Sequence, residues 1–540
     1  MKRLAACRCP REAIALLSLV LLPAALDAAP VTVPTTPTAD SGPAALRTED
    51  GKILLRLDEA VEIALRRNLA LAIERLNNQQ FRLGINQELG IFDLRLDGFA
   101  QWSDSSSATA SALEGADVRE DETQVWNLGL AQLTPIGGEL AVDFNNSRFE
   151  TNSTFVTLNP SFNSSLQLSY TLPLLRNFGA ETTRRGLLSA RLAAAGSRQF
   201  YEQQVAALIQ QVENAYWDLV EAQNQLTVAR ESLALAEELH RRNRVQVEVG
   251  TLPPLELVQS EATIASRQVD IINARTAVGN AADQLLLLLN VDQGAAWESE
   301  IVAETDARTA SIEPVLAQAI ETALAERPEL ARQQREAERL QLEARFARNQ
   351  VRPQLNLGLS YGYRGLGGDV VIRDPETQEV IEVIPGGYSD AVDQIRERDF
   401  DNWALSLLFA MPLQNRAAKA SAASAGLEAE QGETQLALLR QQVITEVRTA
   451  VRQVLAAAEG IRSAEVSRVL QERNLEAEQK RYENGMSTSF QVTQIQEDLT
   501  QARSLEVTAI ASYRRALTEY HRAIGRLLEE TGVELIDPQG

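Results

Sequence analysis

Two histidines, His240 and His521, and two cysteines, Cys7 and Cys9, are all the imidazole and thiol in a chain of 540 residues. These are the side chains that most readily ligate transition metals or act as general base and nucleophile. Ligation needs several of them at close spacing, and no third candidate is patterned around either histidine. His240 follows Leu233 by one heptad on an apolar seam, so it reads as a packing residue. The run Arg119-Glu120-Asp121-Glu122 reads as a solvated loop. There is no Gly-rich phosphate loop and no nucleophile signature. The residues support no catalytic, cofactor or metal site, and the chain reads as a non-enzyme.

The most informative pattern is mechanical rather than chemical. Val212, Ala215, Leu219, Ala222, Leu226, Ala229, Leu233 and Ala236 follow one another at steps of three and four. That is a heptad with a bulky residue at one seam position and alanine at the other, so a neighbouring helix can approach closely. Val447, Ala450, Val454, Ala457, Ile461 and Ala464 repeat the seam 235 positions later. The spacing predicts two rods, over about 180–249 and 416–484. At 1.5 Å per residue, a rod of ~70 residues spans ~105 Å.

A net charge of −22 argues against nucleic acid as a partner, which would need a basic face. The low aromatic content, 5%, and the weight of Ala, Leu, Glu, Gln and Arg suit long helices. Residues 1–28 read as a signal peptide: Lys2, Arg3, Arg8 and Arg11 precede an apolar stretch over Ala13 to Leu22, with cleavage after Ala28. The apolar run is shorter than the ~20 residues of a spanning helix. Both cysteines fall in this segment, so the mature chain would have no disulfide.

Residues 29–53 read as a flexible leader. A first repeat over 54–290 opens with an amphipathic helix broken near Asn68. Alternating strands follow at about 91–103, 124–133, 139–146 and 164–172, with a polar loop at roughly 104–122. Pro173 ends the last strand and the first rod begins. It stops at Val249-Gly250-Thr251, because Gly after a helix and Pro253-Pro254 beyond it end helices. A return helix from about Leu255 carries the seam Leu255, Val258, Ala262, Ala265, Val269 and Ile272, expected to pack on the rod. A polar linker covers 291–311. The second repeat, 312–530, has strands at about 354–364 and 402–411, a loop at about 365–399, the second rod, a stop at Asn484-Gly485-Met486 and a last helix. A tail covers 531–540. Ala64 to Pro173 is 109 residues, and its equivalent, Ala323 to Pro412, is 89. The first copy thus has about one extra β-hairpin, around 125–145.

Rods this long and polar must sit in water. Strands of ~10 residues with one apolar face can enter lipid only as a closed barrel, and eight strands is about the smallest usual one. If these strands lie in a membrane, several chains must complete the wall. The alternative is a structural coiled-coil envelope protein with small sheets and no transport role.

The chain resembles the TolC-like outer-membrane efflux family over about residues 55–530. The resemblance rests on Leu57-Asp58-Glu59-Ala60 with Ala64-Leu65 and Asn68, on Leu172-Pro173-Leu174-Leu175, and on Arg352-Pro353-Gln354-Leu355. Val249-Gly250-Thr251 and Tyr482-Glu483-Asn484-Gly485-Met486 complete it. It implies a mainly α fold with a β-barrel portion, built from two helix–hairpin–long helix–helix repeats and assembled as a homotrimeric α/β tunnel. The barrel would sit in outer-membrane lipid and the helices would cross the periplasm. The duct would serve an inner-membrane transporter through a periplasmic adaptor, in tripartite efflux or type I secretion, with no cofactor. It assigns adaptor docking to Val249, Gly250, Thr251, Asn484, Gly485 and Met486. Family channels often narrow at an acidic ring six and nine residues beyond the second glycine; here those positions are Gln491 and Gln494. Glu497 lies one turn further, and Glu256 and Gln259 are the first-copy equivalents. An amide ring would favour cations much less than a carboxylate ring. Family members commonly contribute two strands per copy, so the extra hairpin implies either a larger barrel or a hairpin outside it.

Overall fold

The computed structural model describes residues 47–49, 52–109, 115–291, 294–308, 311–374 and 378–534. The expected signal peptide and most of the leader lie outside them. Strands β1 (Arg47–Glu49) and β2 (Lys52–Leu55) lead into helices α1 (Leu57–Arg67) and α2 (Leu69–Leu89). Asp58 and Glu59 lie in the first turn of α1, where negative charge meets the helix N-terminus. The break at Asn68 has a local cause. Its side chain accepts the Ala70 and Leu71 amides at 3.0 and 3.2 Å and so caps a new helix.

Four strands follow: β3 (Arg95–Ala108), β4 (Val118–Leu133), β5 (Glu139–Thr151) and β6 (Leu158–Pro173). A short turn of helix, α3 (Ala180–Thr183), precedes the rod α4 (Arg185–Glu248) and the return helix α5 (Leu255–Leu289). Helix α6 (Ala295–Glu298) and strand β7 (Glu300–Ala303) join the repeats. The second repeat contains α7 (Leu316–Glu326), α8 (Pro328–Gln350), β8 (Gln354–Arg373), β9 (Val380–Ile384), α9 (Tyr388–Glu397) and β10 (Asp401–Ala410). The second rod α10 (Arg416–Glu483), α11 (Ser489–Ala523) and α12 (Leu527–Glu530) finish it.

Several expectations are corrected. The loop at 104–122 is narrower, because β3 continues to Ala108 and β4 starts at Val118. The loop at 365–399 is largely structured: β8 runs on to Arg373, β9 pairs with its end, and α9 follows. Strands also appear in both stretches read as unstructured. β2 from the end of the leader pairs in parallel with β7 from the linker, and β1 pairs with β2. This sheet is tied to the middle of α4, where the Tyr216 hydroxyl donates to Leu55 O at 3.0 Å and accepts the Thr305 amide at 3.0 Å.

The rod seams do pack: Val212, Leu219, Val447 and Val454 are fully buried. On α5 the expected seam does not. Leu255, Val258, Val269 and Ile272 are exposed, whereas Ser260, Ile271, Leu285, Leu286 and Leu289 are buried. Helix α5 is an edge of the described fold, so its apolar stripe lacks a neighbour among the described residues. The same holds for Ile73 and Leu76 on α2 and for Leu427, Leu438, Val466 and Leu470 on α10.

The large sheet runs β10-β8-β6-β5-β4-β3, all antiparallel, with β9 off this path. The repeats meet at β6 and β8. Register places the apolar rows on one face: Leu96 opposite Leu130, Leu128 opposite Phe144, Phe144 opposite Leu166, Leu166 opposite Tyr363, Tyr361 opposite Trp403. Directly opposed residues share a face. The band on β8 runs from Leu355 to Tyr363, about 26 Å along the strand and about 20 Å high at barrel tilt. That approaches the ~25 Å apolar belt of outer-membrane barrels. Just beyond it, α9 lies over Gly365 and Gly367, where any Cβ would collide with the carbonyls of Ala391 and Gly387. Among the described residues no helix is long and apolar enough to cross a membrane.

Candidate functional site: the paired helix tips

Far from the sheet, both rods end in the same backbone device. Gly250 has φ +80° and Gly485 φ +72°, the left-handed region where a side chain is strained. Gly250 N donates to Val247 O at 3.0 Å and Thr251 N to Gln246 O at 2.9 Å. Gly485 N donates to Tyr482 O at 3.0 Å and Met486 N to Arg481 O at 2.8 Å. Each pair is a Schellman motif, which satisfies the last carbonyls of a helix. The glycines are required by φ and not by crowding, since a Cβ at either would meet nothing within 4 Å. Val249 and Met486 stand beside them in open solvent, 68% and 64% exposed. Asn484 closes its helix through Nδ2, which donates to Lys480 O at 2.7 Å.

The two tips are joined to one another. Tyr482 Oη donates to Asn243 Oδ1 at 2.7 Å and lies 3.1 Å from Gln246 Oε1. Arg242 on α4 pairs with Glu483 on α10 at 2.8 Å. Leu239, Leu475, Tyr482, Val492 and Leu499 form an apolar cluster behind them. Burial, with the Glu256 charge nearby, pushes the Tyr482 hydroxyl above its ordinary pKa. Tyr482 keeps its proton and its donor role at neutral pH.

The entrance candidates differ in exposure and in how they are held. Glu256 accepts the Ser489 hydroxyl and is half-buried. Glu497 is exposed and sits 3.9 Å from Arg267, which also pairs with Asp270 at 3.4 Å. Gln259, Gln491 and Gln494 are exposed; the Gln491 backbone N–H donates to the Thr488 hydroxyl at 3.3 Å, and the Gln494 side chain donates to Asp498 Oδ1 at 3.5 Å. Sequence reasoning missed Arg242, Asn243 and Ser489. These are polar positions within a helical pattern; Arg242 and Asn243 gain their partners on another helix only from the second rod, and Ser489 only from Glu256 at the start of α5. His240, expected to pack, lies between α4 and α5 with Nδ1 2.7 Å from Ser260 Oγ. Burial pushes the His521 imidazole down despite Glu530 at 3.8 Å.

The sequence profile described as outer membrane efflux protein matches residues 139–291 and 319–526. The chain belongs to the outer membrane efflux protein family. Both repeats are matched, and the structural alternative without a transport role gives way to this assignment. Family membership places the sheet in the outer membrane and the helices in the periplasm.

Solved structures with the same fold include the CmeC outer membrane channel of Campylobacter jejuni: TM-score 0.61, 16% identity, 89% of this chain and 90% of that one covered. The outer membrane protein VceC of Vibrio cholerae gives 0.60 at 15% identity, covering 87% and 96%. The open MtrE outer membrane channel of Neisseria gonorrhoeae gives 0.57 at 17%, covering 87% and 89%. No curated protein matches in sequence.

Proposed function

We propose that this outer membrane efflux protein works as a homotrimeric exit duct. It receives cargo from an inner-membrane transporter through a periplasmic adaptor and conducts it passively outward, with no enzymatic step. The observation that carries the reading is the set of unpartnered edges. Among the described residues β3 and β10 end the sheet, and α2, α5 and α10 carry exposed apolar stripes. One edge joined to the other edge of the next copy is a head-to-tail contact, and such contacts generate rings. The tips Val249-Gly250-Thr251 and Asn484-Gly485-Met486 are the adaptor's docking positions. Gln259, Gln491, Gln494 and Glu497, with Glu256 behind them, line the entrance.

The test is fractionation followed by gel analysis of unheated and boiled samples. Trimers in the outer membrane that dissociate on heating are expected. A monomer in the soluble periplasmic fraction would rule the duct out. Ethidium accumulation in a strain lacking its own copy, with and without the restored chain, then reads transport.

A further inference from the structure

The wall of the protomer is built in two stacked layers that run in the same order. Among the helices nearest the sheet, α2 packs on α4, α4 on α8 and α8 on α10. In the sheet, β3, β6, β8 and β10 follow the same sequence, each covalently continuous with its helix. The exception is the interval between β3 and β6, which holds β4 and β5 in unbroken register. Three strand steps there stand over a single helix step.

The widths of the two layers can be compared. Four helices at about 8–10 Å spacing occupy an arc of about 32–40 Å per protomer. Six strands at about 4.8 Å, tilted by about 40°, occupy an arc of about 38 Å, within that range. Four strands would occupy only about 25 Å and would pinch the wall above the helices. The added hairpin therefore matches the girth of the sheet to the girth of the helical ring.

The two outer strands also look unfinished. Leu96 and Trp102 on β3, and Leu405 and Leu407 on β10, are 62–70% exposed on the apolar face. On the otherwise polar face, each of these two strands carries one large exposed apolar residue, Phe99 and Leu408. Free backbone edges are not tolerated in lipid. An edge strand that exposes a large apolar side chain on each face fits a neighbour of its own kind.

We propose that three copies close a barrel of eighteen strands, six from each, through a β10-to-β3 seam between neighbouring copies. This rests on the trimeric duct reading above. The hairpin β4–β5 is part of the lipid-facing wall, with Leu128 and Val142 toward lipid and Asn127 and Asn145 toward the lumen. The barrel is then as wide as the helical tunnel, about 36 Å between backbones. Eighteen-stranded barrels of this kind enclose an aqueous channel, so the outer end imposes no narrowing on bulky cargo.

The full chain in lipid nanodiscs provides the test. The mass of the assembly is measured first, and an assembly of other than three copies refutes the trimeric reading itself. Cryo-electron microscopy of trimers then counts strands. Eighteen in one continuous wall are expected, and twelve with a hairpin outside it overturn the proposal while leaving the duct intact. Cysteine pairs give an independent reading, since no cysteine follows Cys9. Ser406→Cys combined with Asp97→Cys or Gln101→Cys should give oxidised dimers and trimers on gels. Cross-linking of Ser406→Cys to Asp143→Cys or Asn145→Cys instead would make β5 the true edge and refute the seam.

Discussion

Gly485 offers the sharpest separation of turn chemistry from docking. Its φ of +72° would cost a residue with a Cβ about 1–2 kcal/mol. Nothing lies within 4 Å of the added atom, so no steric cost follows inside the chain. Asn tolerates the left-handed region better than most residues. Gly485→Asn should therefore keep the turn and leave the tip nearly unchanged. Gly485→Arg costs about the same 1–2 kcal/mol in backbone strain, small beside the packing of two rods, and adds a long cation beside Met486. If the tip docks an adaptor, Gly485→Arg should abolish ethidium efflux while Gly485→Asn retains most of it. Both should give wild-type amounts of heat-dissociable trimer. Wild-type efflux by Gly485→Arg with intact trimers would refute the docking assignment. Equal loss in both variants would show that the turn alone matters.

Other expectations follow from the contacts around the tips and the middle of the rod. Tyr482→Phe removes the donor to Asn243, which is 1% exposed, and should cost about 1–3 kcal/mol; faster amide exchange confined to the tips would report it, and unchanged exchange would contradict it. The double substitution Gln491→Glu with Gln494→Glu should make the pore sensitive to block by added divalent cations in bilayer recordings, and an insensitive pore would place the entrance elsewhere. Leu499→Ala, at 2% exposure in the cluster joining the rods, should destabilise by about 2–5 kcal/mol in thermal denaturation. Glu213 is buried beside the Thr518 hydroxyl, and burial raises its carboxyl above the ordinary value. The native state then binds the proton better than the unfolded chain, whose carboxyl titrates near about 4.3. The stability this contributes is present below that value and lost as pH rises through the folded-state pKa. Glu213→Gln should accordingly melt higher than wild type at pH 7, and the advantage should vanish on acidification to about pH 4.

Much of this architecture is legible in sequence because it is local. The rods announce themselves through three-and-four spacing and the lack of proline, and their ends through a glycine that the left-handed turn requires. The duplication shows in the order of motifs, and the strands in their period of two. Strand ends were less legible, because polar residues beyond the lipid band continue the ladder without any alternation to mark it.

What the tertiary structure decided are the pairings between distant segments. β2 and β7 come from stretches whose composition suggested no structure, and β7 becomes a strand only against β2, which also pairs with β1. The spacing comparison pointed to about one added hairpin, but β4 and β5 together span more than that difference. The second repeat offsets part of it by spending its own loop on β9 and α9. The return-helix stripe at Leu255, Val258, Val269 and Ile272 has the right period to pack on α4, yet faces outward. A heptad records that a helix has an apolar face, and not which neighbour covers it. The side-chain environments of Glu256, His240 and Asn243 likewise depend on a second helix hundreds of residues away or across a tight turn. Periodicity is a property of one segment, whereas contact requires two, so the elements could be read in advance and their partners could not.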